Sequence, residues 1–457
     1  MTARVLVVGL DAGDPGTARA LAATGRMPAF ADLLSRSASF PMAEARDCFV
    51  AERWTTMVTG VGPEVHRYYS WCVFDAAQGI DVPAPLDPAG VARLWDVASA
   101  AGRRVAVFDV PRQPLARVNG VHLCEWGAHD HDCGTRSWPP DLLAELDVGF
   151  GMYPLGAAAA DRTGQFAPCD VVCRSEGHPR TRPERRALAK LIRESTDMKA
   201  RVCEHYLGSD EWDLFFTVFA EPHCAQHQFW DLHRPSGRRE RRLAARIGDV
   251  VTDTFERIDR SLERLVQLAG HDAAIVIVLH TGMAPAMGGN GLLGEVTKRL
   301  AGSTSAFVAC GFTGHVGAIR LGISGRDPRG CISPDAVPEV VGRLTNELAA
   351  LVNDDTGTPA VRSVRTRADA FPGVDDDSLP DLFVDWNGEH VIRSVSSAAI
   401  GTVTAGQGPR TGYHTPDGIV LVCAPGVEPG ARAPIDPAVF TPMVATMLGL
   451  DSQPPGN

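Results

Sequence analysis

Two histidines four residues apart are the first feature of the sequence that could do chemistry. His223 and His227 come shortly after an uninterrupted apolar run that follows Asp213. Such a run is typical of a central parallel strand covered on both faces, and Pro222 then turns the chain out of the sheet. On a helical turn, residues i and i+4 share one face, and imidazole is the commonest nitrogen ligand of transition metals. The pattern predicts a metal site, with a structural histidine pair beside Trp230 as the alternative.

Four more polar residues fall at the ends of predicted strands. Asp11 ends the first apolar run, His280 and Thr281 follow another, and His414 lies just before the last. Strand-end residues of one sheet line the same edge, so we expect all of them to converge with the histidine pair. The glycines near Asp11 do not follow the GxGxxG pattern, which favours a carboxylate ligand or acid/base over a ribose contact.

The elements that must position these residues alternate between strands and helices. This order predicts an α/β fold with a doubly wound, mainly parallel sheet sandwiched by helices. Residues 1–283 and 406–457 are predicted to form the catalytic core. Residues 284–405, which are richer in glycine, proline and short strands, are predicted to form an inserted cap. Residues 17–35 are predicted to be one helix with a bend near Pro28, and residues 238–268 one long amphipathic helix.

Composition limits the function classes. The chain has 457 residues, a formal net charge of -11 and no extended basic patch, which argues against a nucleic-acid partner. No run of about 18 apolar residues is present, so no membrane span is expected. The start shows no signal-peptide pattern, so a cytoplasmic location is expected. The eleven scattered cysteines are then expected to be free thiols. The expected partner is a small-molecule substrate, and the oligomeric state has no signature.

The loop Glu125–Cys133 is a further candidate for the site. His129, His131 and Cys133 stand at alternate positions in this polar segment. They could line the site as ligands, or the loop could simply lie near it. Both readings stay open.

These residues resemble the alkaline phosphatase superfamily, in its type I phosphodiesterase/nucleotide pyrophosphatase branch. The matching segments are Val-Val-Gly-Leu-Asp11, Trp54 to His66, Glu221 to Trp230, Gly282-Met283, Ile319 to Gly330, Pro380-Asp-Leu and His414-x-Pro-Asp-Gly418. The resemblance implies an alkaline-phosphatase-like fold. It also implies two metal ions and a threonine or serine nucleophile that takes the phosphoryl group.

The metal ligands that the resemblance implies are only partly kept. Asp11, His227 and His414 match ligand positions of the family. His223 replaces the aspartate of an Asp-x3-His motif, and the pair His280-Thr281 replaces an Asp-His pair. Histidine replaces the aspartate in both motifs, which keeps a metal ligand at each position but exchanges a charged carboxylate for an imidazole. Imidazole ligands favour iron, zinc or copper over magnesium or calcium, and we expect one or two such ions per chain.

The nucleophile position is not kept, since it falls on Val50. Valine cannot attack phosphorus, and Cys48, Thr55 and Thr56 nearby could replace it only after a register shift. This predicts negligible hydrolysis of generic phosphodiesters, even with zinc supplied.

Three functions remain open from the sequence. The first is a divergent metalloenzyme whose chemistry is not covalent phospho-enzyme hydrolysis, such as ester hydrolysis by metal-activated water, elimination, or redox or oxygen-dependent chemistry. In it, Asp11, His280 and Thr281 would be catalytic, and His223, His227, His414, Asp11 and His280 would bind metal. The second is a metal-dependent phosphodiesterase or phosphatase with a relocated nucleophile. The third is a non-catalytic binding protein.

Overall fold

The computed structural model describes residues 4–43, 52–87, 89–128, 134–155, 181–286, 288–302, 306–311, 316–404 and 410–450. The predictions about Cys48, Val50, His129, His131 and Cys133 therefore fall outside the described residues.

The strands of the described residues are numbered here in chain order. They are β1 Val5–Leu10, β2 Ala38–Pro41, β3 Cys72–Asp75, β4 Ile80–Pro83, β5 Val105–Phe108, β6 Gly120–Cys124, β7 Arg136–Trp138, β8 Leu214–Phe219, β9 Ala274–Leu279, β10 Gly282–Pro285, β11 Phe307–Cys310, β12 Val316–Leu321, β13 Val352–Asn353, β14 Thr358–Pro359, β15 Val361–Thr366, β16 Leu382–Trp386, β17 Ser394–Ser397, β18 Gly401–Thr404, β19 Gly412–Thr415, β20 Ile419–Cys423 and β21 Gly430–Ala431.

The helices are numbered in the same way. They are α1 Pro15–Ala23, α2 Pro28–Arg36, α3 Arg53–Thr59, α4 Pro63–His66, α5 Leu94–Ala100, α6 Leu142–Phe150, α7 Arg182–Ser209, α8 Glu221–His233, α9 Arg238–Ile247, α10 Val250–Ala269, α11 Asn290–Ala301, α12 Val337–Ala349, α13 Arg367–Ala370 and α14 Phe440–Met447, with short 3₁₀ turns at Pro334–Ala336 and Pro437–Val439.

A nine-stranded sheet forms the centre of the fold, in the order β21-β2-β20-β9-β1-β8-β5-β6-β7. Strand β1 lies between β8 and β9 and runs parallel to both, with Leu10 opposite Phe219 and Leu279. The three strands therefore end at the same level. Because of this register, Asp11, the start of α8 and His280 lie side by side at one edge of the sheet.

Apolar side chains cover both faces of this sheet. Alternate residues of β1 enter two different hydrophobic clusters. One contains Leu6 and Val8 together with residues of α7, α8 and α10, and the other contains Val5 and Val7 together with residues of α3, α5 and α14. The uninterrupted apolar runs are thus explained by burial on two sides. The predicted mainly parallel, helix-sandwiched α/β fold is confirmed.

Two further four-stranded sheets, β11-β12-β16-β15 and β14-β13-β17-β18, lie in the stretch predicted to be an insertion. A separate hydrophobic cluster holds them together with α11 and α12. Strands β10 and β19 pair with each other at the two ends of this stretch, so the chain leaves the core sheet and returns to it at one place. The boundaries at 284 and 405 stay a prediction.

Three local predictions are wrong. Each of the two long helices is divided in two. Gly25 at a φ of 72° separates α1 from α2, and Gly248 at a φ of 91° ends α9. Asp249 then starts α10, because its carboxylate accepts from the Thr252 N–H. The expectation of free thiols fails for Cys224, which is disulfide-bonded.

The described helices contain none that combines the length and the apolar character needed to cross a membrane.

Candidate metal centre

Helix α8 positions the first two histidines of the centre. Its start directly after β8 places Pro222 in the first turn, where the missing N–H leaves no hydrogen bond unmade. His223 and His227 lie one helical turn apart on the same face, and both are buried. Their ring centroids are 4.7 Å apart, and their Nε2 atoms are only 3.0 Å apart. The helix therefore presents two imidazole nitrogens to one point.

Strand β19 delivers the third histidine. It pairs antiparallel with β10, with His414 opposite Met283, and β10 follows closely on the end of β9. This pairing places the buried His414 ring 4.6 Å from that of His223 and 4.7 Å from that of His227. One donor atom from each of the three rings lies within 4.8 Å of the others. The pairing of β10 with β19 therefore brings His414 to the two histidines of α8, although it lies far from them in the sequence.

The Nδ1 atom of each ring faces an oxygen of the protein. Nδ1 of His223 donates to Asp11 Oδ2 at 2.6 Å, and Nδ1 of His227 donates to the Gly412 carbonyl at 2.7 Å. Nδ1 of His414 lies 3.4 Å from the Thr281 hydroxyl. A carboxylate and a carbonyl can only accept, so the first two rings must carry hydrogen on Nδ1. Their Nε2 atoms then present lone pairs when the rings are neutral.

Two Nε2 lone pairs only 3.0 Å apart repel each other unless a proton or a metal ion lies between them. Transition ions bind imidazole nitrogen at about 2.0–2.1 Å, which in tetrahedral geometry puts two ligand nitrogens about 3.4 Å apart. The observed spacing is close to that value. Ligand histidines commonly hold a carboxylate or carbonyl with their other nitrogen. The three rings therefore fit one transition-metal ion that keeps at least one open position.

Asp11 lies behind His223 and beside His280, at the end of β1. Its Oδ1 accepts from the Trp54 indole N–H at 2.9 Å and lies 3.4 Å from His280 Nδ1. Thr281 connects the two parts of the site, because its hydroxyl lies 3.4 Å from Nδ1 of both His280 and His414. The structure thus brings together all six residues predicted for the site, although which of them bind metal is a separate question.

The protonation states suit metal binding. Burial alone would raise the pKa of Asp11, but the charge and hydrogen bond of His223, together with His280 and Trp54, hold that pKa well below its usual range. Burial lowers the pKa of His414 well below that of a free imidazole, and the nearby His223 and Arg410 lower it further. Asp11 is therefore ionised and His414 is neutral near pH 7.

The threonines considered as replacement nucleophiles point elsewhere. The Thr55 hydroxyl accepts from Gln113 at 3.1 Å. The Thr56 hydroxyl donates to Glu52 at 2.6 Å and lies 3.0 Å from His66 Nε2. Both hydroxyls are engaged within and beside α3 and not with the three histidines.

Three contributors to the site were not identified from the sequence. Trp54 lies in one of the segments that match the family, and its place at the start of a helix is the sequence signal for its role. The Gly412 carbonyl is a backbone group, which leaves no signal in the residue type. Arg410, four residues before His414, lies 5.7 Å over the Tyr413 ring.

The mainly parallel sheet flanked by helices is an alkaline-phosphatase-like α/β fold, and the imidazole centre lies at the carboxyl edge of that sheet. Residues 5–389 match the family model described as Type I phosphodiesterase / nucleotide pyrophosphatase, and the chain belongs to that family. Members of this family use metal ions, typically zinc.

Solved structures with the same fold include phosphonoacetate hydrolase from Sinorhizobium meliloti 1021 in complex with phosphonoformate. It has 14% sequence identity and a TM-score of 0.58, with 98% of this chain and 96% of that one covered. Murine ectonucleotide pyrophosphatase / phosphodiesterase 5, in an inactive form with AMP, has 13% identity and a TM-score of 0.52, with 100% and 97% covered. At these identities the likeness concerns the fold alone. A search of curated proteins finds no match.

Proposed function

We propose that this protein is a metal-dependent hydrolase of small anionic phosphate or phosphonate esters, with water and not a protein side chain as the nucleophile. The observation that carries the proposal is the position of three buried imidazoles, with Nε2 of His223 and Nε2 of His227 3.0 Å apart and an acceptor on the Nδ1 of each of these two rings. A transition ion held there by His223, His227 and His414 supplies Lewis-acid polarisation of the ester and a lowered pKa for bound water.

The residues of the chain contribute orientation and charge. Three neutral imidazoles add no negative charge, so a bound divalent ion would keep its full positive charge toward the substrate. Asp11 adds a negative charge behind His223, without contacting the ion, and holds that ring in the tautomer that binds metal. Thr281 and His280 lie beside the three histidines, and we assign them the contact with a substrate oxygen. The site as a whole favours an anion.

Arg410 supports the choice of an anionic substrate. Its half-buried guanidinium lies over the Tyr413 ring, whose centroid is 6.2 Å from that of His227. Among the described residues it makes no ion pair with a carboxylate, unlike Arg326 or Arg185. A guanidinium beside a cationic centre is suited to bidentate binding of a phosphoryl or carboxylate group.

The other functions suggested by the sequence have less support. A relocated nucleophile at Thr55 or Thr56 would have to face the three histidines, and both hydroxyls are engaged elsewhere. Cys48, the third candidate, lies outside the described residues. Membership of a hydrolase family favours hydrolysis over redox or oxygen-dependent chemistry. Zinc is our first choice of metal, with iron and copper also suited to imidazole ligands.

The experiment is a hydrolysis assay with chromogenic phosphate and phosphonate esters, on protein loaded in turn with zinc, iron, copper and cobalt. We expect turnover that is lost in His227→Ala and kept in His271→Ala, a matched change of an exposed histidine. With a substrate that is chiral at phosphorus, direct attack by water predicts inversion, whereas a covalent intermediate predicts retention. Retention, or no turnover with any metal and ester, would contradict the proposal.

A further inference from the structure

Asp11 has both of its oxygens engaged by N–H groups of the protein. Oδ2 accepts from His223 at 2.6 Å, and Oδ1 accepts from the Trp54 indole at 2.9 Å. Asp11 is 2% exposed and Trp54 is 4% exposed, so both bonds are shielded from water. A buried carboxylate needs partners of this kind, and here neutral or imidazole N–H groups supply them.

His280, the other residue of this half of the site, is covered by the same side chain. The Trp54 ring stacks on the His280 ring with centroids 5.0 Å apart and planes 19° apart. The preceding residue, Arg53, donates to the backbone carbonyl of His280 at 2.5 Å. Arg53 and Trp54, at the start of α3, therefore both contact His280, which follows β9.

A second metal ion, which the family resemblance implies, does not fit this arrangement. It would have to share Asp11 Oδ1 with the Trp54 N–H, and it would have to take His280 Nδ1 from the Ala12 N–H, which donates to that nitrogen at 3.4 Å. Among the described residues, the Thr281 hydroxyl is a further nearby donor, but it is neutral and a poor ligand. The buried indole also lies against both Asp11 Oδ1 and the His280 ring, so it takes up space that an ion between these two residues would need.

We infer that Trp54 takes the place of a second metal ion, so that the centre binds one ion per chain and the indole N–H, not a cation, orients Asp11 toward His223. This inference rests on the proposed three-histidine metal centre. It makes Trp54 a positioning residue, since it acts on the ion through Asp11 and His223.

The test is metal stoichiometry, measured by inductively coupled plasma mass spectrometry after equilibration with zinc, with cobalt absorption spectra as a second readout. We expect one ion in the wild type. Trp54→Ala opens the position, and Trp54→His adds a ligand nitrogen there, so we expect two ions in each. Combining Trp54→His with Asp11→Asn should return the count to one. Melting curves of every variant identify those that fold.

Trp95→Phe is the matched control, because Trp95 is also buried and also contacts a histidine ring, that of His122 at 5.6 Å. It should bind one ion with wild-type affinity. Two ions in the wild type would overturn the inference while leaving the three-histidine centre intact, and so would one ion in folded Trp54→His. No bound ion in the wild type would instead refute the proposed function itself.

Discussion

Replacing Asp11 with asparagine tests how the protein tunes its metal ligands. The aspartate accepts one N–H on each oxygen, from His223 and from Trp54. Asparagine has the same shape but only one oxygen and an NH2 group. One of the two N–H donors must then face another donor. If the asparagine NH2 faces His223, the two N–H groups repel each other unless the hydrogen of the His223 ring moves from Nδ1 to Nε2. That shift removes the Nε2 lone pair that would bind the ion.

The size of the effect follows from the bond that is lost. A hydrogen bond to a charged group contributes about 1.5–3 kcal/mol, and about 1.4 kcal/mol corresponds to a factor of ten in an equilibrium constant. We therefore expect Asp11→Asn to weaken metal binding about 10- to 100-fold, the range typical of residues that orient a metal-binding histidine.

Competition titration with a chromogenic zinc chelator measures this change. Asp249→Asn is the matched control, because Asp249 accepts from His233 Nδ1 at 3.0 Å in another aspartate–histidine pair. It should leave metal affinity unchanged. Equal affinities for Asp11→Asn and the wild type would show that Asp11 does not act on the ion through His223.

Three further predictions concern other residues. His414→Ala should abolish stoichiometric metal binding, whereas His280→Ala should keep one ion and lose activity; unchanged metal content and activity in His280→Ala would make it a structural histidine. Arg410→Gln should raise KM for an anionic ester about tenfold, which corresponds to the loss of one charged hydrogen bond, and should leave kcat unchanged. The control Arg393→Gln, at the exposed surface, should change neither KM nor kcat. Burial lowers the pKa of His122 to about 4, so between pH 6.5 and 4 only the unfolded chain binds this proton. Stability is then lost as the pH falls, by at most about 3 kcal/mol. Urea unfolding of His122→Asn should show a weaker loss over this range, and a pH dependence equal to the wild type would contradict the assignment.

Much of the fold could be predicted because its signals are local. Strands β1, β8 and β9 are uninterrupted apolar runs, and burial on both faces leaves few other structures for such runs. His223 and His227 were identifiable for the same reason, since one helical turn relates them. The division of α9 from α10 was missed because the amphipathic pattern continues across Gly248, whose left-handed conformation is a property of one residue.

The details of the site depend on contacts that residue types do not record. His414 could be expected near the others only from the rule that strand ends share an edge, and its actual position depends on the pairing of β10 with β19. The Nδ1 partners include a backbone carbonyl, that of Gly412. The role of Trp54 depends on the direction of one indole N–H. Each of these is a tertiary contact between segments far apart in the chain.

The central claim is that three histidines hold one metal ion, and anomalous diffraction from crystals grown with zinc tests it most directly. We predict one strong anomalous peak per chain, about 2.0–2.3 Å from Nε2 of His223, His227 and His414. A well-occupied peak elsewhere, with these three nitrogens turned away from one another, would contradict it.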